Sequence, residues 1–153
     1  MPTLKIFVAC EKVIIDQGGP VSLISIFQRM NIQINADPLP ENAISPNLWS
    51  LFSLWEMDVE ELGREFTQII KFYAPDKSLF ALSETTFQNS LDGDYQHKIN
   101  LQMLSLPIWS EGFAEAVIWL KGNDTPSGSY RFEIRHSRTP QPTSGAIPSE
   151  RSG

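Results

Sequence analysis

Two apolar runs joined by a polar hinge open the chain. Leu4 to Ile15 reads Leu-Lys-Ile-Phe-Val-Ala-Cys-Glu-Lys-Val-Ile-Ile, and Val21 to Ile32 reads Val-Ser-Leu-Ile-Ser-Ile-Phe-Gln-Arg-Met-Asn-Ile. β-Branched and aromatic side chains suit a pleated, half-buried surface, and Asp16-Gln17-Gly18-Gly19-Pro20 between the runs is turn chemistry. The pattern predicts a β-hairpin over Leu4 to Ile34. Pro38, Pro40 and Pro46 then exclude a central strand from residues 35–47, which read as a crossing loop.

Alternation resumes at Trp49. Trp49, Leu51, Ser53, Trp55 and Met57 fall on one face of a strand over Trp49 to Asp58, with Phe52 and Leu54 on the other. Gly63 marks a hairpin connection to Arg64–Ala74. In that strand Phe66, Ile70 and Phe72 oppose Glu65, Thr67 and Lys71, while Ile69 and Tyr73 interrupt the polar side and predict partial cover on both faces. Pro75–Ser78 and Ser90–Asp94 are turns that bracket a strand over Leu79–Asn89. Tyr95–Leu106 sets Ile99, Leu101 and Met103 inward against Lys98, Asn100 and Gln102; Phe113–Lys121 and Ser129–His136 are the last two strands.

Eight strands with no helical period predict an all-β fold: a single antiparallel β-sandwich, immunoglobulin-like or C2-like, over residues 1–136. Residues 137–153 are rich in Pro and Ser with one sizeable apolar side chain, Ile147, and are expected to be a disordered tail.

Charge narrows the partners. Eighteen acidic against twelve basic residues give a net charge of −6, which disfavours nucleic acid and a polybasic membrane surface. One cysteine, Cys10, permits neither an intrachain disulfide nor a thiolate metal cluster. The start carries no secretory pattern and no run nears the roughly 18 apolar residues that span a bilayer, so the expected compartment is the cytoplasm.

Several of these residues also carry a resemblance. Cys10-Glu11, Asp16, the Gly18-Gly19 turn, Leu23-Ile24-Ser25-Ile26-Phe27, Gly63, and Leu106-Pro107 through Gly112-Phe113 together resemble a bacterial family of small uncharacterised β-sandwich proteins, a domain of unknown function. The likeness covers about residues 4 to 136. The chain departs from it at Ser25, where glycine is expected, and at Ala74-Pro75-Asp76-Lys77, where an Asp-x-Asp-Gly turn is expected. The resemblance implies the fold and a cytoplasmic bacterial setting, and no activity.

Candidate chemistry is sparse. Nucleophilic catalysis needs a Ser or Cys beside a base, and the only imidazoles, His97 and His136, read as surface residues near strand ends. Cys10 reads as a small core hydrophobe and Gly18-Gly19 as a turn without a phosphate-loop pattern. No catalytic, cofactor-binding or metal-binding residue is assigned, and no cofactor is expected.

If each strand crosses the fold once, alternate turns share an end. One end then gathers Asp16, Asp58, Glu60, Glu61, Asp92, Asp94 and Asp124; the other holds Asp37, Glu41, Asp76, Glu111 and Lys77. Calcium takes six to eight oxygens from such loops, although Asp also favours turns for conformational reasons alone. Trp49, Trp55 and Trp119 read as core. Trp109, in a connection, either stacks on a ligand or folds back over the fold's end.

The expected function is that of a non-enzymatic protein-binding sandwich with an unknown protein partner, a homodimer by edge-strand pairing being open to it. The alternative is a C2-like calcium-binding or carbohydrate-binding module using the acidic loops or Trp109.

Overall fold

The computed structural model describes residues 1–16 and 19–138. The fold is all-β, with 62% of the described residues in strand. In order the strands are β1 (Thr3–Ile15), β2 (Val21–Ile26), β3 (Arg29–Ile34), β4 (Ile44–Ser45), β5 (Trp49–Glu56), β6 (Glu65–Tyr73), β7 (Leu79–Gln88), β8 (Gln96–Met103), β9 (Leu106–Pro107), β10 (Gly112–Leu120) and β11 (Gly128–Arg138). A four-stranded sheet runs β2-β1-β5-β8, a five-stranded sheet β3-β11-β10-β6-β7, and β4-β9 forms a short ribbon.

Among the described residues, eleven strands replace the eight read from alternation. The second apolar run is two strands in different sheets, because the chain crosses between sheets at Phe27 and Gln28. Ser25 adopts φ 56° just before the crossing. The Phe27 ring then packs edge-on against Trp49 and Phe132, with centroids 6.0 and 5.2 Å away, and its carbonyl accepts a 2.6 Å bond from the Tyr130 hydroxyl. From there β3 pairs with β11, and pairs parallel, where an all-antiparallel arrangement was expected. The other two additions, β4 and β9, are too short to show a period. β11 continues through Arg138, two residues past the boundary placed at His136; the rest of the expected tail and Gln17-Gly18 lie outside the described residues.

The two larger sheets share one core. Trp49 of β5 lies 5.4 Å from the rings of Phe72 (β6) and Phe132 (β11), and Trp55 stacks on Phe87 (β7) at 6.1 Å. Aromatic pairs of this geometry add about 0.5–1.5 kcal/mol each beyond their buried area. Within this apolar layer Gln68 is also buried. Its Oε1 accepts 2.6 Å and 2.8 Å bonds from Ser53 Oγ and Trp55 Nε1, pinning β6 to β5 across the core. Indole N–H only donates, so the amide orientation is fixed, and Nε2 is left without a partner among the described residues.

β5 is buried on its other face too: Ser50, Phe52 and Leu54 are as enclosed as the core residues. The cover is the β1–β2 arm. β1 leaves β5 at the Cys10–Ser50 pair and continues five residues paired only with β2. The arm doubles back, so that Lys98 Nζ on β8, opposite Leu54, donates to the Gly19 carbonyl at the arm's tip. A groove of about 610 Å³ remains beneath it, lined by Pro20, Val21, Leu54, Glu56, Tyr95 and Lys98 among others.

Replacing Gln68 by Leu removes the shared acceptor of two buried donors. Each orphaned donor costs about 1–3 kcal/mol, so urea unfolding of Gln68→Leu should show a loss of roughly 2 kcal/mol or more. Ser53→Ala, which removes one donor cleanly, should lose less.

Candidate functional site

The turns after β5, β7 and β10 do meet at one end. Met57 N–H bonds Tyr95 O at 2.7 Å, Gly63 N–H bonds Asn89 O at 2.7 Å, and Lys121 N–H bonds Thr67 O at 2.9 Å. Asp58, Asp92, Asp94 and Asp124 therefore share that end, and the arm brings Asp16 towards it. The carboxylates do not converge: among the described residues no three His, Cys, Asp or Glu side chains are grouped to hold a metal. Glu61 is buried, its Oε1 accepting the Asp58 N–H at 2.8 Å and its Oε2 facing the Met1 ammonium. Burial acts to raise the Glu61 carboxyl, but the Asp58 N–H and that ammonium outweigh it and hold the group below its usual range.

Trp109 folds back. Its indole N–H donates to Asp76 Oδ2 at 2.9 Å and its ring lies 6.0 Å from Phe80. Ser78 and then the Trp109 indole hold the Asp76 carboxyl below its ordinary value. Trp49 and Trp55 are core as read, but Trp119 is half-buried, on the opposite side of β10 from Ala116 and Ile118, with Lys71 Nζ 5.2 Å from its ring centroid. Cys10 is fully buried, and burial pushes its thiol up, away from the reactive thiolate.

Both imidazoles depart from the surface placement. His136 is half-buried with Nε2 2.7 Å from the Ile108 carbonyl. His97 stacks on Phe87 at 4.9 Å, and its Nδ1 lies 2.6 Å from Asn89 Oδ1. Asn89 Nδ2 already donates to the carbonyls of Asp94 and Gln96, so Oδ1 is an acceptor and His97 donates through Nδ1–H. This network clamps the β7–β8 turn. Alternation could not locate it, because its members meet only through the turn's geometry.

The sheet edges differ in charge. Of the four edge strands of the two larger sheets, β3 carries Arg29, β7 Glu84 and β8 Lys98; β2, Val-Ser-Leu-Ile-Ser-Ile, carries no charge. Charged side chains are the usual protection of a free edge. On the arm Ile14, Ile24 and Ile26 share a face by register and, with Ile6 and Ile15, are 36–52% exposed. Val13, Val21 and Leu23 on the other face are half-buried. A second feature lies at the opposite side of the fold, where β7 and β8 flank an apolar crevice of about 230 Å³. The missing charge on β2 was legible in the sequence; the crevice was not.

No family model matches the chain, and no curated protein matches it. Among solved structures, Pseudomonas fluorescens alkylpurine DNA glycosylase AlkC, bound to DNA containing an abasic site analog, is similar at 10% identity and a TM-score of 0.45 over 88% of this chain and 30% of that one. A β-glucosidase from Listeria innocua is similar at 7% identity and a TM-score of 0.42 over 90% of this chain and 16% of that one. The chain thus spans less than a third of either protein, and neither likeness bears on its function.

Burial disfavours the His97 imidazolium, so its folded-state pKa lies below the ordinary 6.5. The unfolded chain then binds the proton first as pH falls. The site's contribution is whole above about pH 6.5 and is lost as pH drops through the folded value. Urea midpoints measured from about pH 7.5 down to about pH 5.5 should fall more steeply for the wild type than for His97→Phe. Parallel curves would show that the imidazole is solvated.

Proposed function

We propose that this chain is a non-enzymatic interaction protein that pairs with a second copy of itself along the free edge of β2. The proposal takes the two packed sheets as a β-sandwich of the immunoglobulin or C2 type, whose edges do the binding. The observation that carries it is the charge-free β2 edge beside the exposed isoleucines of the arm.

A second copy is the occupant that this edge suits. Antiparallel pairing of β2 with β2 about a twofold sets the same six residues against themselves, and that interface is isologous. None of the six is charged, so the pairing brings no like charges together, whereas a chain of net charge −6 repels itself elsewhere. The unpaired backbone groups of each edge find partners, and Ile24 and Ile26 of each copy lose water contact together. Catalysis has no such support: the one cysteine is buried and both histidines are held in structural hydrogen bonds.

Sedimentation velocity across the micromolar range tests the proposal. The wild-type chain should shift from monomer to dimer with concentration, and Ile24→Lys with Ile26→Lys should remain monomeric with an unchanged far-ultraviolet spectrum. A wild-type chain that stays monomeric throughout overturns it.

A further inference from the structure

The β7–β8 side of the fold is built differently from the β2–β3 side. The chain itself crosses between the sheets at Phe27, closing one side. On the other, β7 and β8 are consecutive in sequence but share no ladder. Among the described residues they are clamped only near their turn, by the Phe87–His97 stack and the Asn89 hydrogen bonds. Further along the two edges part, and the crevice between Leu82 of β7 and Leu101 and Met103 of β8 reaches Leu51, Ile70 and Phe72, which belong to the core.

Three properties fix what fits there. At about 230 Å³ the crevice falls below the roughly 300–1,000 Å³ of small-molecule sites, and suits one or two inserted side chains. Its lining holds no charged residue, so those side chains are apolar. Both walls are strand edges with free backbone groups, so the occupant's own backbone must be extended and able to hydrogen-bond. Packed sheets lie about 10 Å apart and paired strands about 4.8 Å apart, so a single strand entering between two such edges can sit one strand spacing from each.

We propose that this crevice receives an extended segment of a partner protein, with apolar side chains at alternate positions, which adds as a strand to the edge of β8. β8 is the better of the two edges. β7 is interrupted by a register shift opposite Phe72 and Tyr73 and carries Glu84, whereas Ile99-Asn100-Leu101-Gln102-Met103 is regular and uncharged. Alternate residues of the added strand point into the space between Leu101, Met103 and Phe72. The site is independent of the β2 edge.

A random heptapeptide phage library panned on the full chain, with counter-selection on Leu101→Lys, tests this. Enriched peptides should alternate apolar and polar residues. A synthetic copy should bind the wild type in titration calorimetry, lose at least tenfold in affinity with Met103→Lys, and bind Ile24→Lys unchanged. N-methylation at alternate peptide positions, which leaves the protein untouched, should abolish binding by removing the backbone donors. Failure to enrich alternating peptides, or equal binding of the N-methylated copy, overturns strand addition; a peptide that binds Met103→Lys as well as wild type overturns the site.

Discussion

β5 is enclosed on both faces, and much of the fold follows from satisfying that enclosure twice. On one side Trp49, Leu51 and Trp55 meet the aromatic side chains of the five-stranded sheet, with Ser53 and Trp55 tied to Gln68. On the other, Ser50, Phe52 and Leu54 need a separate cover, which the second sheet cannot supply. The β1–β2 arm supplies it by outgrowing β5 and bending back until Lys98 reaches the Gly19 carbonyl. An arm used this way has one face turned to the sheet and one to solvent. Ile14, Ile24 and Ile26 are on the solvent side, and β2 is left as a free edge.

The crossing at Phe27 is the complementary constraint. A single apolar run serves both sheets, so the fold is closed by covalent chain on the β2–β3 side. The β7–β8 side has only the short clamp of Phe87, Asn89 and His97. Part-buried hydrogen bonds at the clamp keep that turn in one arrangement, while nothing described bridges the strands beyond it. The asymmetry leaves core side chains lining an open crevice on the β7–β8 side.

Residues singled out for chemistry mostly turn out to hold the structure together. Asp76 anchors the Trp109 indole, Glu61 sits beneath the Met1 ammonium, and His97 donates to Asn89 through Nδ1. Glu61 and His97 use their polar groups internally, as buried or half-buried polar atoms must when water is excluded, whereas Asp76 makes its bonds at the surface. The Asp-bearing turns share an end because strand direction alternates, yet sharing an end does not bring carboxylates within reach of one ion.

Strands and turns were legible in the sequence because alternation and turn chemistry act over a few residues. Trp49–Glu56, Glu65–Tyr73 and the Asp-Gly turn after Ser90 needed no tertiary information, and neither did the burial of Cys10 or the absence of charge on β2. What lies over Phe52, where the second run changes sheets, and the parallel pairing of β3 with β11 were decided only by tertiary structure. Those outcomes join residues far apart in the chain, and a two-residue period is the same for a strand covered on either face. The crevice is more remote still from the sequence: it is the space left where two edges diverge, and no residue pattern encodes an unfilled volume.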